Sequence, residues 1–317
     1  DGAGAARASG RIIVTQVCLT FPRARGYDTS MDIIPHPGTC AFGDRFKRIA
    51  YAAACAFAGS VLLIGTAQAR AGTIVTDTVV SQTAKTQTLV PVTFGQIFKA
   101  GDVPRGATIT AALGGKPVTL QMDAKATNPD GSLRHAVLTA MIPSLPGHAK
   151  LPLTLSTGPA SASTEKRAPI NLSQLLATHY DAEVELDLGG TRYSVDARAL
   201  LTAANNTNAC KPWDLRCDLW LSGPLVSAWV VNGPLISASG TPNPNLRIYF
   251  AVRAYAGSTP GAVGSVRTDI IVENTSAFTP QAQPQYTATL TSGSARYTSP
   301  TVTQYTATHW HKVLWWN

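Results

Sequence analysis

The densest group of side chains that could do chemistry is His309-Trp310-His311, followed closely by Trp315-Trp316. Successive residues of a β-strand point to opposite faces, so a strand here places the two imidazoles on one face and Trp310 on the other. Two such imidazoles could share a metal ion or bind an acidic sugar, and exposed indole rings can stack on sugar rings. The competing interpretation, which we favour, is that the tryptophans are buried by packing.

A second candidate is the pair Arg134-His135, which follows a tight turn. The planar guanidinium of arginine suits a carboxylate, so the pair could bind an anionic ligand. It could equally be the solvated start of a strand, and we favour that interpretation.

Arg247 and Arg253 lie six residues apart and therefore share one face of a predicted strand. They could clamp an anionic substrate. We favour structural ion pairs instead, with Asp269 or Glu273 on the neighbouring strand as partners.

Acidic residues alternate in the segment AEVELDL, where Glu183, Glu185 and Asp187 share one face opposite apolar residues. This pattern indicates the polar side of a half-buried strand. A calcium site would need a loop bent by glycine, which is missing here. The sequence also lacks a GxSxG, an HExxH and a phosphate-binding glycine loop. We therefore predict no metal ion and no cofactor, and assign no catalytic residue.

The elements that must position these residues are almost all β-strands. Thr, Val, Ser, Ala, Gly and Pro dominate, and turn residues recur at short intervals. Six strand-sized segments between 73 and 158 suit a small β-barrel at 72–160, with a turn at 128–132 between two antiparallel strands. A linker with one short helix, capped by Asn171 or Ser173, follows at 161–177.

Longer alternating strands fill 178–317, and they predict a larger antiparallel β-sandwich. A hairpin begins it, with AEVELDL and TRYSVDARALL joined at Gly189-Gly190. The fold class predicted is therefore all-β, a small barrel followed by a sandwich. We expect the sandwich to be truncated at Asn317, where the chain stops within a run of aromatic residues.

A secretory leader precedes these strands. A positive segment at 45–48 is followed by an apolar run at 49–66 and by overlapping small-residue cleavage sites at 67–71. The run is shorter than the roughly 20 apolar residues that span a bilayer. We expect cleavage before Gly72, a secreted or periplasmic protein, and no transmembrane anchor after cleavage. Residues 31–71 form this leader region, and 1–30 are expected to be an upstream translation artefact.

Removal of the leader changes the charge and the cysteine count. The whole chain carries +8, whereas residues 72–317 hold 18 Lys and Arg against 14 Asp and Glu, a net +4. This weak charge is spread without a basic block, which argues against nucleic acid as a partner. Only Cys210 and Cys217 remain of five cysteines. In an oxidising compartment they predict one disulfide.

Two segments, PVTFGQIFKAGDVPRG at 91–106 and KATNPDGSLRHAVLTA at 125–140, carry a likeness to a known family. The PVTFG strand and the DGS turn before a basic residue resemble the N-terminal RIFT-type barrel of the rhamnogalacturonan exolyase-like proteins. Gly223-Pro224, LRIYFAVRAYAG and TDIIVEN are similar in order to the central sandwich of that family. The resemblance covers most of residues 88–317.

The resemblance implies an exported, carbohydrate-active protein related to enzymes that cleave uronate-containing polysaccharide by β-elimination. In the family an α/α toroid follows the sandwich and holds most of the reacting groups, and we expect that domain to be absent from this chain. We therefore expect the chain to be inactive alone and to have an acidic polysaccharide as its partner. The candidate ligand-binding residues are Arg134, His135, Arg253, His309, Trp310 and His311. The alternative is a noncatalytic β-protein of a cell surface or phage tail, with a role in adhesion or assembly.

Overall fold

The computed structural model describes residues 72–158, 167–204, 219–259, 261–276 and 283–317. The predicted leader region and the predicted disulfide between Cys210 and Cys217 lie outside these residues. The all-β prediction is confirmed, because strands dominate the described part of the chain. Neither helix found in these ranges is long and apolar enough to cross a membrane.

The first sheet contains six strands, all antiparallel, in the order β1-β6-β3-β4-β5-β2. Their bounds are β1 (Thr73–Val80), β2 (Gln87–Ile97), β3 (Thr108–Leu113), β4 (Lys116–Thr127), β5 (Leu133–Leu145) and β6 (Lys150–Gly158). β3 and β4 pair over only three residue pairs beside the Gly114-Gly115 turn. The sheet bends at this narrow connection into a half-barrel, and its concave side buries Leu138, Ile142 and Leu155.

The turn between β4 and β5 has the structure that its sequence predicts. Gly131 adopts a φ of 81°, which glycine tolerates without steric strain. The Asp130 carboxylate accepts hydrogen bonds from the Ser132 amide (2.9 Å) and hydroxyl (2.6 Å). These bonds lower the pKa of Asp130. The turn therefore fixes where β5 begins and places Arg134 and His135 at its start.

Two helices and ten strands follow in the described part of the chain. In chain order they are α1 (Leu172–Leu176), β7 (Glu183–Leu188), β8 (Thr191–Asp196), α2 (Ala197–Ala204), β9 (Leu219–Leu221), β10 (Val226–Ser237), β11 (Pro242–Ala256), β12 (Val263–Asn274), β13 (Gln285–Ser292), β14 (Ala295–Thr298), β15 (Val302–Thr303) and β16 (His309–Trp316). All ten strands join one sheet, with the main path β14-β13-β7-β8-β10-β11-β12-β16.

This second sheet curls until it is nearly a closed barrel. β8 and β10 share only two residue pairs, so the sheet bends there and its two halves face each other across one core. The layers expected of a sandwich are thus two halves of one hydrogen-bonded sheet. At the remaining seam, the Trp310 indole of β16 donates to the Tyr286 hydroxyl of β13 at 2.7 Å. Lys312 lies 4.0 Å from the centre of the Tyr297 ring of β14.

Both helices begin with a side-chain cap. Asn171 accepts from the Gln174 amide while the Gln174 side chain accepts from the Asn171 amide, both at 2.8 Å, so the predicted Asn171 cap is confirmed. The second helix corrects the hairpin prediction, which continued the strand after Asp196. The Asp196 carboxylate accepts from the Ala199 amide at 2.6 Å, and the Ala- and Leu-rich segment that follows favours a helix.

The two sheets belong to one compact unit and pack through a junction with a polar centre. Gln121 of β4 is buried, and its side-chain oxygen accepts from the amides of Leu225 (2.9 Å) and Val226 (3.0 Å). Its amide nitrogen donates to the Val226 carbonyl at 2.9 Å. One side chain thus satisfies three main-chain groups of the other sheet, which fixes the relative position of the sheets.

Aromatic packing completes the junction. Tyr255 at the end of β11 stacks on Trp315 of β16, with ring centres 5.8 Å apart and planes at 20°. The Tyr255 hydroxyl also lies 3.3 Å from the Thr93 hydroxyl of the first sheet. The outer faces of β11 and β16 therefore meet the first sheet at one end and are open at the other.

Candidate functional site

A groove of about 490 Å³ crosses the outer face of β11, β12 and β16. Alternation along each strand gives this face every second residue, while the residues between them form the core. The lining residues are Tyr249, Ala251, Arg253, Asp269, Ile271, Glu273, His309 and His311. The volume lies within the usual range of small-molecule sites.

The strand register sets the order of side chains across the groove. Tyr249 pairs with Ile271, which pairs with His311, so these three form one row across the strands. Glu273 pairs with His309 in a neighbouring row. Opposite side chains in such rows lie about 5 Å apart at Cβ. Titratable side chains from three strands are therefore held on one surface by the hydrogen bonds of the sheet.

Arg253 is the least satisfied cation of the groove. Its Nε is buried and has no hydrogen-bond partner among the described residues. Sequence reasoning favoured ion pairs of Arg247 and Arg253 with Asp269 or Glu273, and that prediction is wrong within the described part of the chain. Arg247 donates instead from Nε to the Asn232 side-chain oxygen at 2.6 Å.

Asp269 contributes an acceptor atom that, like the Arg253 Nε, is buried and has no partner among the described residues. Its Oδ1 accepts from Arg267 Nη2 at 2.7 Å, whereas its Oδ2 is buried without a partner in the described ranges. Asp269 pairs with Ala251, two residues from Arg253, so the two unsatisfied groups are diagonal neighbours on one face. Buried polar atoms in native proteins are nearly always hydrogen bonded, so two unsatisfied ones in side chains that line the same groove are unusual and favour a functional role for it.

Tyr249 and Glu273 supply further polar groups to the groove. Partial burial raises the pKa of Tyr249, and the neighbouring Glu273 carboxylate raises it further. The phenol therefore stays protonated at neutral pH and can donate a hydrogen bond. A carboxylate, a phenol and a guanidinium together can bind both the hydroxyl groups and an acidic group of a ligand.

The two histidines lie where alternation predicts, both exposed on the outer face at the rim of the groove. Neither imidazole has a hydrogen bond to another described residue that would fix its orientation. Trp310 points to the opposite face and packs against the core. Trp315 and Trp316 also pack, the latter edge-on against Tyr180 with ring centres 6.2 Å apart. The favoured prediction, that the tryptophans are packed against other residues, is therefore confirmed.

Arg134 and His135 lie on the first sheet and do not line the groove. Arg134 is exposed at the start of β5, and His135 is half-buried beside Gly95. The structure therefore brings together Arg253, His309 and His311 from the candidates, and leaves these two apart.

The described residues contain no group of three or more His, Cys, Asp or Glu side chains that could hold a metal ion. Glu183, Glu185 and Asp187 line the polar face of β7 opposite the buried Val184 and Leu186, as the alternation predicts. Glu185 forms a surface ion pair with Arg192 at 3.7 Å.

Sequence reasoning missed Tyr249 as a member of the site. The signal was present, because Tyr249 alternates with Arg247 and Arg253 along one strand. It also missed a second pocket of about 430 Å³ beside β16, which is formed by residues between 297 and 305 and by the start of β16. No local pattern in those residues indicates a pocket.

No protein-family model matches this chain. A search of the curated proteins also gave no significant match. The geometry of the groove is therefore the main basis for assigning a function.

Proposed function

We propose that this chain is an exported carbohydrate-active protein that binds an acidic, uronate-containing polysaccharide in the groove on β11, β12 and β16. The observation that carries the proposal is that Arg253 and Asp269, diagonal neighbours in one groove, each hold a buried polar atom without a partner among the described residues. A uronate offers the complementary groups, since its carboxylate accepts from arginine and its hydroxyls donate to a carboxylate.

The charge of the surrounding face agrees with an anionic ligand. Three arginines, Arg247, Arg253 and Arg267, stand against two carboxylates, Asp269 and Glu273, which leaves one net positive charge. The resemblance to rhamnogalacturonan exolyase-like proteins supports the choice of a uronate.

Binding without cleavage fits the groove better than catalysis. Abstraction of the proton next to a uronate carboxylate needs a base held in a defined position. The imidazoles of His309 and His311 are exposed and have no orienting hydrogen bond to a described residue. We therefore propose that the groove binds the polysaccharide and that any β-elimination needs groups outside the described residues.

Calorimetric titration of the full chain with oligogalacturonates tests this proposal. We expect Arg253→Met to lower the affinity by at least about tenfold, because a charge-assisted hydrogen bond contributes about 1.5–3 kcal/mol and tenfold corresponds to about 1.4 kcal/mol. Affinity should also fall as salt rises.

The matched control is Arg192→Met, which removes the same charge from a side chain that is 69% exposed and does not line the groove. It should leave the affinity within about twofold. No binding of oligogalacturonate by the folded wild-type chain, or equal loss in both variants, would overturn the proposal. Ultraviolet absorbance from an unsaturated product in the wild-type mixture would overturn its noncatalytic part.

A further inference from the structure

The second pocket lies at the seam of the curled sheet, between β14 and β16. Its lining includes the aromatic or apolar side chains of Tyr297, Pro300, Val302, Tyr305, His309 and Trp310. Tyr305 is the most exposed of the large side chains here, with 59% of its surface accessible. Rigid aromatic surface with an open face is suited to stacking against a sugar ring.

Hydrogen bonds hold the walls of this pocket in place. The Trp310 indole is fixed by its bond to Tyr286, and Gln304 donates to the carbonyls of Val272 (3.0 Å) and Thr308 (2.8 Å). The turn that carries Tyr305 is closed by the Thr308 amide, which donates to the Tyr305 carbonyl at 3.3 Å. The pocket is therefore formed before any ligand binds.

His309 lines both the pocket and the groove. The two cavities are therefore neighbours on either side of one exposed imidazole. One side is polar and holds the unsatisfied Arg253 and Asp269 groups, and the other is aromatic. A ligand long enough to pass His309 would meet both surfaces.

We propose that the pocket is a second subsite, which stacks the sugar ring next in the chain to the uronate held in the groove. This inference rests on the proposed function, and it identifies the ligand as an oligosaccharide rather than a single sugar. One ring is recognised by its carboxylate beside Arg253, and the adjacent ring by its apolar face against Tyr305.

Calorimetric titration of the full chain with galacturonate monomer and trimer tests the inference. The wild-type chain should bind the trimer at least about tenfold more tightly than the monomer. Tyr305→Ala should reduce trimer affinity to within about threefold of monomer affinity and leave the monomer unaffected. Tyr305→Phe, which keeps the ring, should retain the preference for the trimer. Circular dichroism checks the fold of each variant.

The outcomes separate the two proposals. Equal affinity of the wild-type chain for monomer and trimer overturns the second subsite and leaves the groove. An equal loss of affinity for monomer and trimer in Tyr305→Ala would also overturn the second subsite and leave the groove. Failure of the wild-type chain to bind either uronate overturns the proposed function, and the second subsite with it.

Discussion

The Tyr286 hydroxyl shows how single buried groups hold the seam of the second sheet. It accepts from the Trp310 indole and donates to the Gln304 side-chain oxygen. Burial raises the pKa of Tyr286 to about 12. Burial likewise raises the pKa of Tyr180, whose hydroxyl lies 2.9 Å from that of Thr268. Both phenols are therefore neutral in the folded protein well beyond the pH at which they ionise in an unfolded chain.

These two tyrosines predict a loss of stability in alkali. An unfolded tyrosine loses its proton near pH 10, so the unfolded state binds fewer protons than the folded state above that pH. The free energy of unfolding should therefore fall from about pH 10, and the Tyr286 contribution should level off near pH 12. Tyr286→Phe should show a smaller fall between pH 9 and 11.5 in urea titrations, with Tyr180 and Tyr249 contributing to what remains.

At neutral pH the same variant should be less stable by about 1–3 kcal/mol, because the Trp310 indole loses its acceptor. Tyr305→Phe is the matched control, because it removes a hydroxyl from an exposed side chain. An unchanged pH dependence in Tyr286→Phe would contradict the role given to this hydroxyl.

At the scale of elements, the β11–β12 hairpin sets the register on which the groove depends. Tyr255 pairs with Ser265 and Ala256 with Val263, so Gly264 is an extra residue at a β-bulge. A Cβ on Gly264 would lie 2.6 Å from the Gly257 Cα, which is closer than two non-bonded carbon atoms can approach. This close approach explains why glycine stands at the bulge.

Gly264→Ala should therefore force the two strands apart at the hairpin. We expect a loss of about 1–3 kcal/mol in the free energy of unfolding, measured by urea titration. Gly95→Ala is the matched control, because its Cβ would meet only the tip of the His135 side chain, at 3.3 Å. Equal stability of Gly264→Ala and wild type would show that the hairpin can relax without loss.

The elements also show what could be read from the sequence. Alternation predicted the strands of both sheets and the shared face of His309 and His311, because those patterns are local. It did not predict α2, because the Asp196 cap lies within a segment that also alternates. Nor could it predict that Asp269 pairs with Arg267 of its own strand rather than with Arg253, since that depends on the register between β11 and β12.

At the scale of the whole molecule, two large cores are joined by the junction around Gln121. The first core lies in the half-barrel and the second inside the curled sheet. A small third cluster, which includes Tyr255 and Trp315, lies between them. Gln121 supplies three hydrogen bonds between the sheets, and all three reach main-chain atoms at 225 and 226.

Gln121→Ala should leave two amides and one carbonyl of the second sheet without partners. We expect a loss of about 3 kcal/mol, and separate unfolding of the two cores by differential scanning calorimetry. Gln96→Ala is the control, because Gln96 donates only to its exposed neighbour Ile97. A single transition with wild-type stability in Gln121→Ala would contradict the importance of this junction.

The way in which Gln121 binds the second sheet has a consequence for how this protein can diverge. It recognises main-chain atoms at 225 and 226 and not the side chains there. Neutral drift can therefore exchange Leu225 or Val226 for other apolar residues of similar size while the sheets stay in place. Proline has no N–H, so it is excluded at both positions. A protein that descends from this one and has lost Gln121 would need other contacts to hold the two sheets together.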